Sequence, residues 1–128
     1  MTHVQPLLKV RIEGGQNAPR RARSALRALN GQLGRSNDDI SLMVSELVTN
    51  AVSHARAQFV RVAILGLGAR VRVEITTPGP AFEAPVDRKP GRDGGFGLFF
   101  VDRLAERWGV DRLKDQTCVW FEMNVAPG

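Results

Sequence analysis

At 128 residues, with 43% hydrophobic and 24% charged side chains, the chain has the composition of one ordinary globular domain and excludes an intrinsically disordered segment. Eighteen Lys and Arg against 13 Asp and Glu leave a net charge of +5, yet the excess is scattered, with no long basic block and no interleaved aromatics, so nucleic-acid binding is weakly supported. A lone cysteine, Cys118, excludes an internal disulfide, and no apolar run is long enough for export or membrane passage; the expected setting is the cytoplasm.

Leu8, Val10 and Ile12 alternate with Lys9, Arg11 and Glu13, which predicts a strand over 7–13, turned by Gly14-Gly15-Gln16-Asn17. A helix follows, with Pro19 in its first turn, Ala22, Ala25, Leu26, Leu29 and Leu33 as its apolar stripe and Gly34 as its stop; Arg20, Arg23 and Arg27 form a basic ridge on another face. Asn37 or Asp38 can cap a second helix that ends near Arg56. Its apolar face is Ile40, Met43, Val44, Leu47, Val48, Ala51 and Ala55, and Glu46, Asn50 and His54 form an i, i+4 polar row along the margin of that face. Polar groups at a core margin need partners, which are either neighbouring loops or a ligand.

Residues 59–65 and 71–75 read as a strand hairpin around Gly66-Leu67-Gly68. A long Pro- and Gly-rich segment over 76–95 has the length of a lid or a disordered loop. A third helix is expected from Gly97 to Trp108 with Gly109 as its stop, then strands over 110–113 and 117–125. No repeat or linker interrupts the chain, so a single α+β domain over 1–128 is expected.

Gly94-Gly95-Phe96-Gly97 opens directly into the helix beginning at Leu98, where unpaired backbone N–H groups and the positive helix end suit an anion, phosphate above all. Combined with the second helix, these are the parts of a nucleotide site. Asn50 could offer its side-chain oxygen to Mg2+, Glu46 could take a proton from an attacking hydroxyl, and Arg88, Lys89 or Arg92 could reach the phosphates from the lid.

These residues resemble the GHKL ATPases of the Bergerat fold, and within them the small anti-sigma-factor serine kinases. Glu46-Leu47-Val48-Thr49-Asn50-Ala51-Val52-Ser53-His54-Ala55 is similar to the family's N box, Gly94-Gly95-Phe96-Gly97-Leu98-Phe99-Phe100-Val101-Asp102 to its glycine-rich box, and Arg107-Trp108-Gly109-Val110 with Val119-Trp120-Phe121-Glu122 to its closing strands. The resemblance implies a mixed, mainly antiparallel sheet covered on one face by about three helices. It implies ATP and Mg2+ as ligands, Asn50 on the metal, Glu46 as general base, Gly95, Gly97 and Leu98 against the phosphates, and a lid over about 80–94 that carries Arg92. It further implies a sigma factor and an anti-anti-sigma protein as partners, and a homodimer.

The second family box supplies an aspartate ahead of a glycine, which accepts a hydrogen bond from the adenine amine. Here Thr77 stands at that place, two residues before Gly79, and Cys118 falls where a threonine near the base is common. A neutral hydroxyl holds the base less tightly, by about 1 to 2 kcal/mol, the difference between charged and neutral hydrogen bonds. The leading expectation is therefore an ATP-dependent serine/threonine kinase acting as an anti-sigma regulator. The alternative is a nucleotide-poor module of the same fold that captures a sigma factor or other regulator without catalysis.

Overall fold

The computed structural model describes residues 4–29, 31–79 and 98–125. Strand β1 (Gln5–Glu13) leads into helix α1 (Ala18–Leu26), two short 3-10 turns over 27–29 and 34–36, and helix α2 (Asn37–His54). The hairpin β2 (Phe59–Leu67) and β3 (Arg70–Pro78) follows, then α3 (Phe99–Leu104), β4 (Arg107–Arg112) and β5 (Gln116–Asn124). The five strands lie in the order β1-β2-β3-β5-β4, and every pairing is antiparallel. The fold is α+β with no parallel neighbour among the described strands, where a mixed sheet was expected.

Strand alternation decides which side the helices cover. Ile12, Val60, Val62, Ile64, Val71, Val73, Ile75, Val119, Phe121 and Met123 point to one face and share a single apolar core with α1, α2 and α3. The opposite, outer face carries Lys9, Arg11, Arg61, Glu74, Cys118, Trp120 and Glu122, the alternate positions of the same strands. On that face Glu122, 5% exposed at its side chain, receives Arg72 at 3.1 Å and Arg107 at 2.5 Å, while Arg72 also binds Glu74 at 2.8 Å and stacks over Trp120. The Arg107 hydrogen bond, with Arg72 behind it, holds the Glu122 carboxyl below the usual range against the opposing effect of burial.

Several boundaries differ from the sequence expectation. The first helix ends at Leu26 rather than at Leu33, since a 3-10 turn replaces its last turns, although Leu29 and Leu33 remain buried. Ser36, not Asn37 or Asp38, occupies the cap position of α2; its hydroxyl donates to the Asn124 carbonyl at 3.0 Å and so ties the helix start to the end of β5. α3 has six residues, and Trp108 and Gly109 belong to β4. Gly109 is there for space: a Cβ would lie 2.7 Å from the ring of Trp120 on the next strand. β3 runs on to Pro78, so Thr76 and Thr77 are strand residues with fixed faces rather than part of a loop.

Candidate functional site

α2 packs against α1, against β2 and β3 of the sheet, and against α3. The helix is continuous over eighteen residues, and Ile40, Met43, Val44, Leu47, Val48 and Ala51 anchor it in the core. The inward pull of those side chains carries Asn50 with them. Asn50 is 2% exposed, and its Oδ1 has no hydrogen-bond partner among the described residues. Leaving a buried acceptor unmet costs about 1–3 kcal/mol, an expense native cores avoid unless the atom has a ligand. Glu46 lies one turn earlier on the same row and is half-buried. His54 does not complete the row, because it sits in the last turn, where α2 leaves the core, and it is exposed.

The sheet contributes a second pair of polar groups. Thr77 and Thr117 are direct partners in the β3–β5 register, are 4% and 1% exposed, and share the face of Ile75 and Val119 that looks toward α2. Thr117 Oγ1, like Asn50 Oδ1, is buried with no hydrogen-bond partner among the described residues. Cys118 must be corrected. It pairs with Thr76 and Asp111 on the outer face, turned away from α2, so it does not join Asn50 and Thr77. The alternation that expels Cys118 brings in Thr117, its neighbour on the strand and the direct partner of Thr77. Partial burial pushes the pKa of the half-buried Cys118 thiol up, against a hydrogen bond with Thr76 that pulls it down.

Beyond β3, Gly79 takes a left-handed φ of +103°, and its N–H donates to the Asp115 carbonyl at 2.8 Å, which closes the strand end against the β4–β5 turn. No atom of the described residues lies within 4 Å of where a Cβ would stand on Gly79, so the glycine serves the backbone conformation. Leu98 is fully buried, and its carbonyl accepts from the Asp102 N–H at the start of α3, which sets the direction of that helix. Arg92, Gly95 and Gly97, with the rest of the expected lid, lie outside the described residues. A recess of about 370 Å³ between the start of α1 and α2 is lined by Gly15, Gln16, Pro19, Thr49, Val52 and Ser53. Another of about 420 Å³ lies on the outer sheet face beside Arg11 and Arg61. Neither recess touches Asn50 or Thr77.

An orphaned carboxamide oxygen suits a hard cation or a ligand N–H, and the nearby carboxylate of Glu46 suits a cation's water or a proton. The residues present therefore fit a nucleotide with its metal ion. A helix of this composition packed on the sheet beside a third helix makes the fold an α+β sandwich whose polar residues suit a nucleotide. The chain belongs to the histidine kinase-like ATPase domain family, whose model matches residues 15–123. It is similar to the serine-protein kinase RsbW of Staphylococcus aureus strain MSSA476, 26% identical over 126 residues that span 83% of this chain and 79% of the relative. The RsbW of strain Newman matches with the same identity and coverage. Among solved structures, that of the RsbU and RsbW domains of Rv1364c from Mycobacterium tuberculosis superposes with a TM-score of 0.71 at 22% identity. It covers 92% of this chain and 32% of that longer one, and it attests the fold. Among the described residues no helix is long and apolar enough to cross a membrane, and no cluster of His, Cys, Asp and Glu forms a metal site by itself.

Proposed function

We propose that the chain is an ATP- and Mg2+-dependent protein serine/threonine kinase that regulates a sigma factor by binding it and by phosphorylating an anti-anti-sigma partner. The observation that carries this reading is the buried Asn50 Oδ1, without a hydrogen-bond partner among the described residues, one helical turn from Glu46 inside a histidine kinase-like ATPase domain. The similarity to RsbW supports the choice of substrate class. We take residues 1–128 as one domain acting in the cytoplasm, and a homodimer as its working form.

Asn50 Oδ1 would hold Mg2+, which would supply positive charge to offset that of the phosphates. The glycine-rich box, through Gly95, Gly97 and the Leu98 N–H at the start of α3, would receive the phosphates, and Arg92 would approach them from the lid. Glu46 accepts the proton of the incoming serine hydroxyl while that oxygen bonds to the terminal phosphorus and the bond to the bridging oxygen of ADP breaks.

The experiment is transfer of labelled phosphate from ATP to the cognate anti-anti-sigma protein. Wild type should label one serine or threonine, and Glu46→Gln should lower the rate by about 10²–10⁴, the usual contribution of a general base. Absence of transfer by a folded, ATP-binding wild-type protein with its cognate partner removes the kinase reading. It would leave the binding module, which the neutral Thr77 at the aspartate's place favours. Cys118 no longer supports that alternative, since it faces away from the site.

A further inference from the structure

We infer that this site reads its base through the hydroxyls of Thr77 and Thr117 and accepts purine nucleoside triphosphates whether they carry an amine or a carbonyl at the six position, so that GTP binds about as well as ATP. The inference rests on the nucleotide reading above and concerns the selectivity of the same site. Thr77 and Thr117 face each other directly across β3 and β5, buried on the side toward α2, and Thr117 Oγ1 has no partner among the described residues. Direct neighbours in an antiparallel pair hold their Cβ atoms about 4.5–5.5 Å apart, close enough for both hydroxyls to meet one edge of a planar ring.

The chemistry of the two hydroxyls decides the outcome. A hydroxyl owns one donor and two acceptor lone pairs and rotates to suit its partner, whereas an ionised carboxylate only accepts. Opposite an adenine amine, the pair accepts. Opposite a guanine or hypoxanthine carbonyl, the same pair donates, with no charge to repel that oxygen. A carboxylate at position 77 would strengthen the first contact and set acceptor against acceptor in the second. Asn50 and Glu46, the polar row of α2, are assigned to the phosphate and metal end, so they do not separate one base from another. Cys118 is on the outer face and adds nothing to the choice.

The test is isothermal titration calorimetry of the full chain with Mg2+ and nonhydrolysable analogues of ATP and GTP. The wild-type dissociation constants should agree within about fivefold, since neither threonine hydroxyl carries a charge that discriminates between the bases. Thr77→Asp should tighten the ATP analogue and weaken the GTP analogue, opening the ratio to about 100-fold, one charge-assisted bond gained and one repulsive pair introduced. Thr117→Val should weaken both analogues by a similar factor and leave their ratio unchanged, which covers the case of a Thr77→Asp chain that does not fold. A wild-type preference for ATP above about 50-fold, the scale of discrimination by a hydrogen-bonding group, overturns the inference while leaving the nucleotide reading intact. Failure of folded wild type to bind either analogue overturns both.

Discussion

Asn50→Ala should make the protein without ligand more stable and, at the same time, abolish its response to nucleotide. The buried Oδ1 has no hydrogen-bond partner among the described residues, so its removal relieves an unmet acceptor worth about 1–3 kcal/mol. Alanine in the interior of α2 adds up to about 0.7 kcal/mol of helix propensity. Lost packing of the carboxamide at a site that is 2% exposed works the other way, by about 1–2 kcal/mol for the few atoms deleted. The net expectation is a gain of about 1 kcal/mol, or about 3–5 °C in melting temperature at this chain length. Urea unfolding followed by circular dichroism measures it directly. Repeated in Mg2+ and ATP at about a hundred times the dissociation constant, wild type should gain about 2.7 kcal/mol and Asn50→Ala should gain nothing. If Asn50→Ala instead loses more than about 1 kcal/mol without ligand, the oxygen has a partner within the protein, and the reasoning that assigns it to a ligand is refuted.

Glu122→Gln should cost about 2 kcal/mol at pH 7, because Arg72 and Arg107 lose the buried carboxylate that neutralises them; the Arg107 side chain is exposed, which keeps the cost below the range for a fully buried pair. The Glu122 pKa is lowered on folding, so its contribution is complete above the unfolded carboxyl value of about 4.3 and disappears as pH falls through the folded value; urea melts of wild type and Glu122→Gln should converge below that point. Gly109→Ala should cost about 1–3 kcal/mol and change the fluorescence of Trp120, whose ring lies 2.7 Å from the new methyl position, and an unchanged thermal melt would show that the ring yields freely. Arg56→Gly should stabilise by about 0.5–1 kcal/mol in the same melts, since Arg56 closes α2 at a φ of +51° that costs a side chain and not glycine.

Amphipathic periods made most of the fold legible. The stripe Ile40–Ala51 and the alternation of Val60, Val62 and Ile64 point to α2 and β2 without ambiguity, because burial on one side demands that spacing. Asn50 was legible for the same reason, as a polar residue in phase with Met43 and Leu47. Where the readings departed, local chemistry lost to tertiary context. A run of Val101, Leu104, Ala105 and Trp108 has helical spacing, but β5 draws Trp108 and Gly109 into the sheet as β4, and the helix stops at Leu104. His54 kept the row's spacing yet left the core with the last turn of α2.

Thr117 is the site residue that an ungapped match to the closing strand passes over in favour of Cys118, and the strand register reverses that choice. A position matched along a sequence carries no statement of face, whereas in a strand a shift of one residue exchanges the inner side for the outer. Val119, Phe121 and Met123 form the inward set of β5, and counting back by twos from Val119 reaches Thr117, never Cys118. That count needed only the chain itself. It also changes the chemistry expected of the site: with Cys118 at the base, two weakened contacts would have argued for a protein that had lost its nucleotide. With Thr117 beside Thr77, two buried hydroxyls face one another, one of them with no partner among the described residues. A cleft that had given up its ligand would have no reason to retain an unmet oxygen at that cost.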